Sequence, residues 1–233
     1  MEAVEAIALM LGAAWASGIN LYATILVLGW MGSTGQMDLP PEMQILADPT
    51  VMFAAGVMYC VEFFADKVPG VDTGWDTIHT FIRIPAGAMM AAGAAQGLEI
   101  GQAAELAALI LGGGLAATSH ATKAGTRVLI NTSPEPVTNW TASIAEDIAV
   151  VGALWTALNH PWWFLAGMVV FIGLVVWLLP KIWRAIKRVA RVLRGWFRKT
   201  NAGEQADSSP AGKRHDLLKQ LYNDAESDAK PNR

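Results

Sequence analysis

The chain has 233 residues, 53% of them hydrophobic and only 16% charged, against about a quarter charged in soluble domains. A single cysteine, Cys60, excludes a disulfide framework and a Cys-rich metal site, and the apolar content excludes disorder for most of the chain. The net charge of −3 divides into 4 Lys/Arg against 14 Asp/Glu over residues 1–180, 8 Lys/Arg and no acid over 181–199, and 5 basic against 6 acidic residues over 200–233; that pattern belongs to a membrane protein, not a nucleic-acid binder.

A membrane-spanning helix needs about 20 mostly apolar residues. The apolar blocks predict spans near 5–31, 50–66, 80–98, 103–122, 142–159 and 162–180. The first lacks a basic n-region and opens with Glu2 and Glu5, so it reads as a span and not as a cleaved leader. Gly18 is its expected break, with Asn20 supplying a polar contact beside it. Span two ends on Glu62 and Asp66, four residues apart on one helix face, before Pro69-Gly70 breaks the helix. Beyond the break, Asp72, Asp76, His79 and Arg83 step by 4, 3 and 4, which aligns them as one charged stripe on a helix.

Span four carries a second stripe. His120, Lys123, Arg127 and Asn131 step by 3, 4 and 4, and Ser133-Pro134-Glu135-Pro136 is a rigid break. Asn139, Ser143, Glu146 and Asp147 then share roughly one side of span five. After Pro180 the segment KIWRAIKRVARVLRGWFRK sets Ile182, Trp183, Ile186, Ala190, Leu193 and Phe197 on one face and bases on the other. Such a helix lies on anionic inner-leaflet lipid. From Thr200 the chain is polar, with Ser208-Ser209-Pro210 and an amphipathic patch at 215–222, and reads as a mobile cytoplasmic tail. The domains are thus 1–180, 181–199 and 200–233.

The loops carry no Lys or Arg, some, none, some, none and then many in chain order, which orients six spans with both termini cytoplasmic in a bacterial inner membrane. Trp30, Trp162 and Trp163 then mark the outer interface, and Trp177 and Trp183 the inner one. The expected fold is an all-α polytopic membrane protein of about six spans with a C-terminal interfacial helix. An ungapped match of Leu11–Ala16 to Leu111–Ala116, which sets Asn20 opposite His120, is compatible with two inverted three-helix repeats with broken helices.

The strings EFFADKVPGVDTGWDTIHTFIRIPAGA and SHATKAGTRVLINTSPEPVTNW, with the earlier SGINLYAT, resemble a bacterial and plastid membrane family catalogued as a domain of unknown function, numbered four-one-two-six. The likeness covers roughly residues 5–180. It implies an integral membrane protein and no particular activity, so function rests on the residues.

Single charges near span ends often only snorkel to the interface, and one histidine is more often structural than a ligand. Two stripes with proline breaks between them point instead to a polar cavity approached from the cytoplasmic side. Its expected solute- or ion-binding residues are Asn20, Glu62, Asp66, Asp72, Asp76, His79, Arg83, His120, Lys123, Arg127, Asn131, Glu135, Asn139, Glu146 and Asp147. The acids of one stripe should neutralise the bases of the other, Asp72 or Asp76 with Arg127 or Lys123, and Glu146 or Asp147 with Arg83. Small-residue packing at Gly87, Gly112 and Gly114 should hold the cavity open. The function expected is a small transporter or channel-like carrier, proton- or ion-coupled, for an anionic or zwitterionic solute or a phosphate-headed lipid. Its partners would be the bilayer and that solute, ion or lipid, with room for a homo-oligomer and none for nucleic acid. No cofactor, metal or catalytic residue is specified. The alternatives are a membrane-embedded enzyme acting on a lipid phosphate or peptide, although HExxH, GxSxG and Walker motifs are all missing, or a scaffold recruiting partners through its basic collar.

Overall fold

A computed structural model describes residues 2–68, 70–96, 98, 101–131, 136–207, 214 and 217–222. Six α-helices succeed one another: α1 (Ala3–Ser33), α2 (Pro49–Ala65), α3 (Val71–Gln96), α4 (Gly101–Ile130), α5 (Pro136–Asn159) and α6 (Pro161–Asp207), with a 3-10 segment at Pro41–Ala47 before α2. No strand occurs among the described residues. The chain divides into two compact units, Met1–Trp183 and Arg184–Arg233.

In the first unit α1 is the central helix. Its most apolar stretch is 72% buried, against 22% in α5 and 17% in α6. Around it pack α3, α4 and α5, and α3 lies along most of α4. The outward face is apolar: Phe53, Phe81 and Trp163 are each at least three-quarters exposed, as expected when the surrounding solvent is lipid. Three helices are long and apolar enough to cross a membrane, in α1, α5 and the first part of α6; a fourth results if the 3-10 segment and α2, bent by 62° at their junction, form one span. Asp48 caps α2 at that junction, its Oδ1 accepting from Thr50 N at 2.7 Å.

The helix limits differ from the apolar blocks in an informative way. α3 begins at Val71, not near 80, α4 runs to Ile130, not 122, and α5 begins at Pro136, not 142. Each extension is a polar stripe. Hydropathy leaves these residues out, but their helical spacing does not, and the charges in the extensions of α3 and α4 are buried. Between α2 and α3 Gly70 takes the φ of +88° that the turn requires, while Pro69 lies outside the described residues.

One helix, Pro161–Asp207 with Pro180 inside it, stands where a span at 162–180 and a separate interfacial helix at 181–199 were expected. In the second unit helix continues past Thr200 as far as Asp207, and the described part of the 215–222 patch, 217–222, is helical with Leu217, Leu218, Leu221 and Tyr222 exposed. Ser208-Ser209-Pro210 and the side chains of Ile182, Ile186, Ala190, Leu193 and Phe197 lie outside the described residues.

Candidate functional site: a buried ion network at the break in α1

Helix α1 is interrupted at Asn20, whose backbone leaves the helical region (φ −145°, ψ 97°). The interruption falls two residues beyond Gly18. Gly18 has a packing role: a Cβ there would collide with the Ala116 carbonyl oxygen and the Ser119 hydroxyl, so glycine lets α1 press onto α4. Asn20 has the capping role. Its Oδ1 accepts from Ala23 N at 3.0 Å, the bond of an N-cap, and Thr24 Oγ1 donates to its carbonyl at 2.8 Å. The second half of α1 therefore starts as a new helix. The break also frees the Ile19 carbonyl, which accepts from Lys123 Nζ at 3.1 Å.

Lys123 is the centre of the network. Besides Ile19 its ammonium faces Asp66 Oδ2 at 3.0 Å, Glu62 Oε1 at 3.3 Å, Glu146 Oε2 at 3.5 Å and Asp76 Oδ1 at 3.8 Å. On one side Arg83 spans two acids, with Nη2 to Glu62 Oε1 at 2.6 Å and Nη1 to Asp76 Oδ1 at 3.0 Å. On the other, Arg127 Nη2 meets Glu146 Oε2 at 2.7 Å and Asp66 Oδ2 at 3.6 Å, while its Nη1 donates to the carbonyls of Asp66 and Asn139. The side chains of Glu62, Arg83 and Arg127 are wholly inaccessible, and Glu146 is the most exposed member at 19%. Ionised groups hidden to this degree stand only when paired and hydrogen-bonded.

Arg83 Nη1 also lies 3.3 Å from His120 Nδ1. A guanidinium only donates, so this nitrogen accepts and His120 is neutral, carrying its proton on Nε2 toward Thr80 Oγ1 at 2.8 Å. His79 is also held on both ring nitrogens: Nδ1 donates to the Trp75 carbonyl at 2.9 Å, and Nε2 lies 3.0 Å from Tyr22 OH, with the imidazole stacked on the Trp75 ring.

Two smaller polar groups adjoin. Asp147 accepts from Asn20 Nδ2 at 2.9 Å and Tyr59 OH at 3.0 Å, which ties α5 to the break. Asp72 accepts from the backbone N–H groups of Gly70 and Thr73 and from Asn131 Nδ2, and Asn139 Nδ2 donates to Asn131 Oδ1. Lys67 has no carboxylate within ion-pair distance among the described residues; its ammonium sits 2.8 Å over the Phe63 ring and 3.5 Å from Ser143 Oγ.

The stripes of α3 and α4 thus meet, as Lys123 with Asp76 was expected to. Other expected pairs are corrected. Glu146 serves Arg127 and Lys123, Asp147 serves Asn20 and Tyr59, and neither pairs with Arg83, whose needs are met by Glu62 and Asp76. Asp72 takes Asn131 and backbone donors in place of Arg127 or Lys123. Of the expected site residues, Glu135 lies outside the described residues. Gly87 and Gly112 do sit where a Cβ would strike the neighbouring helices, whereas Gly114 has open space. Tyr22, Tyr59 and the Ile19 carbonyl were not anticipated. Tyr59 was within reach, since it lies three residues before Glu62 on the same helical face.

These features define the chain as a polytopic helical membrane protein built around a closed, buried ion network. It belongs to the family described as Domain of unknown function (DUF4126), whose model matches residues 7–181. No curated protein and no solved structure matches the chain.

Proposed function

We propose that this protein is a small secondary carrier, proton- or ion-coupled, for an anionic or zwitterionic solute or a phosphate-headed lipid. The observation that carries the reading is the burial of three cations and four carboxylates, drawn from α2, α3, α4 and α5, at a break in α1. Buried ion pairs seldom add net stability over apolar packing, so an Ala- and Gly-rich bundle has no structural need of them. Ionisable groups inside membrane proteins mark ion and solute pathways, and broken helices are how carriers bring backbone carbonyls to such sites. Arg83 and Arg127 exchange their acids for a carboxylate or phosphate of the solute, which guanidinium recognises well, and the released acids take up the coupling ion.

A six-span topology with both termini cytoplasmic belongs to the same proposal. α2, α3 and α4 cross as the remaining spans because their charges face one another and not lipid. The inverted repeat, the bacterial plasma membrane, the inner-leaflet contact of 181–199 and a homo-oligomer are further parts of it.

The test uses purified protein in liposomes loaded with a pH-sensitive dye. A pH gradient is imposed, and organic phosphates, carboxylates and amino acids are offered in turn. A solute that accelerates collapse of the gradient supports the carrier. Arg83→Lys, which keeps the charge but loses the fork spanning Glu62 and Asp76, should lose most of that flux while still inserting. Turnover of a lipid phosphate or peptide in detergent, without flux, would overturn the reading in favour of an enzyme.

A further inference from the structure

The network does not balance. Arg83, Lys123 and Arg127 supply three positive charges, whereas Glu62, Asp66, Asp76 and Glu146 supply four negative ones. Neither nearby imidazole makes up the difference. His120 must accept from Arg83, so it is neutral, and His79 makes its contacts with the Trp75 carbonyl and the Tyr22 hydroxyl, with no carboxylate of the network. Three further charged groups lie beside the network and add no net positive charge to it. Lys67, with its ammonium on Phe63 and Ser143, and Asp147, held by Asn20 and Tyr59, carry one charge each of opposite sign. Asp72 is held by four neutral donors, Gly70 N, Thr73 N, Thr73 Oγ1 and Asn131 Nδ2.

The same place also holds unpaired polar atoms. Among the described residues Glu62 Oε2, Asp66 Oδ1 and Asp76 Oδ2 have no donor, and Arg83 Nε and Arg127 Nε have no acceptor. The acid side chains are at least 96% buried. A buried unpaired carboxylate oxygen and an uncompensated charge are each costly, and a single proton removes the excess charge and relieves one such oxygen. The acids and histidines do not converge as metal ligands among the described residues, so the donor set suits a proton and not a metal ion.

We infer that the closed network binds one proton, resident on Asp76. Asp76 has the weakest claim on the cations. Its nearer partner, Arg83 Nη1 at 3.0 Å, is shared with His120, and Lys123 stands 3.8 Å away. Glu62, by contrast, holds Arg83 at 2.6 Å, and Glu146 holds Arg127 at 2.7 Å. That this proton is the coupling ion rests on the carrier reading above. Its presence rests only on charge and geometry.

Infrared spectroscopy of the full chain in nanodiscs at neutral pH tests it without any transport assay. Exposed carboxylates are ionised there, so a protonated-carboxyl C=O band that shifts in D2O reports a buried acid. The wild type should show this band. Asp76→Asn should abolish it, and so should Glu146→Gln, because removing any one of the four negative charges removes the need for the proton. Lys123→Met should raise the band to about twice its area, since a second acid must then neutralise itself. Folding of each variant is checked by helical circular dichroism and a monodisperse elution profile. A wild type without the band overturns the proposal, as does a band unmoved by Asp76→Asn and Glu146→Gln. The band with no flux for any solute would instead sink the carrier reading and leave the proton site standing. Flux driven by a metal-cation gradient, without the band, would do the reverse.

Discussion

Asn20 is the residue on which the broken helix depends, and truncating it separates the contributions that hold the break. Asn20→Ala removes the side-chain cap on Ala23 N, a loss of about 1 kcal/mol for a typical N-cap. It also removes the Nδ2 donor from Asp147, and a hydrogen bond to a charged group contributes about 1.5–3 kcal/mol. Asp147 is only partly buried and keeps Tyr59 OH as a second donor, so the lower end applies, and the sum is about 2–3 kcal/mol. Asn20→Ser keeps a capping oxygen but does not reach Asp147, so about 1–2 kcal/mol of the loss should remain. Asn20→Asp keeps the cap and sets a carboxylate where a donor stood 2.9 Å from Asp147 Oδ1; it should fall below Ser. Unfolding in mixed micelles titrated with SDS, monitored by circular dichroism, measures the order wild type, Ser, Ala, with Asp below Ser. An Ala variant as stable as wild type, or Ser no better than Ala, would refute the capped-break account.

Gly18→Ala should destabilise by about 1–3 kcal/mol, the usual range for overpacking, because the Ala116 carbonyl it would strike is backbone and cannot turn aside; the same titration reads it, and a neutral outcome would mean α1 and α4 are not in close contact there. Reporter fusions after Arg233 and within 33–47 should report opposite sides of the membrane, since the eight bases of 181–199 resist translocation; both on one side would end the six-span topology.

Helical spacing identifies residues that share a face, so Asp72, Asp76, His79 and Arg83 are legible in the sequence as one stripe, and all four are buried. Spacing carries no information on which helix that face will meet. Charge matching alone therefore sends Arg83 to α5, while the packing of α1, α3 and α4 places it against Glu62 of α2. Gly18 is the obvious candidate for the break because glycine disrupts helices, yet a glycine packed tightly against a neighbouring helix can remain helical. The chain departs instead at Asn20, whose side chain can cap the second half of α1. Hydropathy fails at the polar ends of α3 and α4 because it scores each charge as if it faced solvent, whereas these charges are buried; at the start of α5 the uncharged Thr138, Asn139 and Thr141 lower the average in the same way.

The central claim is that the network acts and does not merely pack. Wild type and Asp76→Asn, reconstituted at equal density in liposomes carrying a pH-sensitive dye, are compared for solute-dependent collapse of an imposed pH gradient. Collapse is predicted with the wild type and none with Asp76→Asn, although the variant inserts and keeps its helical content. Equal collapse by the two proteins would contradict the claim, because the acid least committed to the cations would then have no part in moving charge.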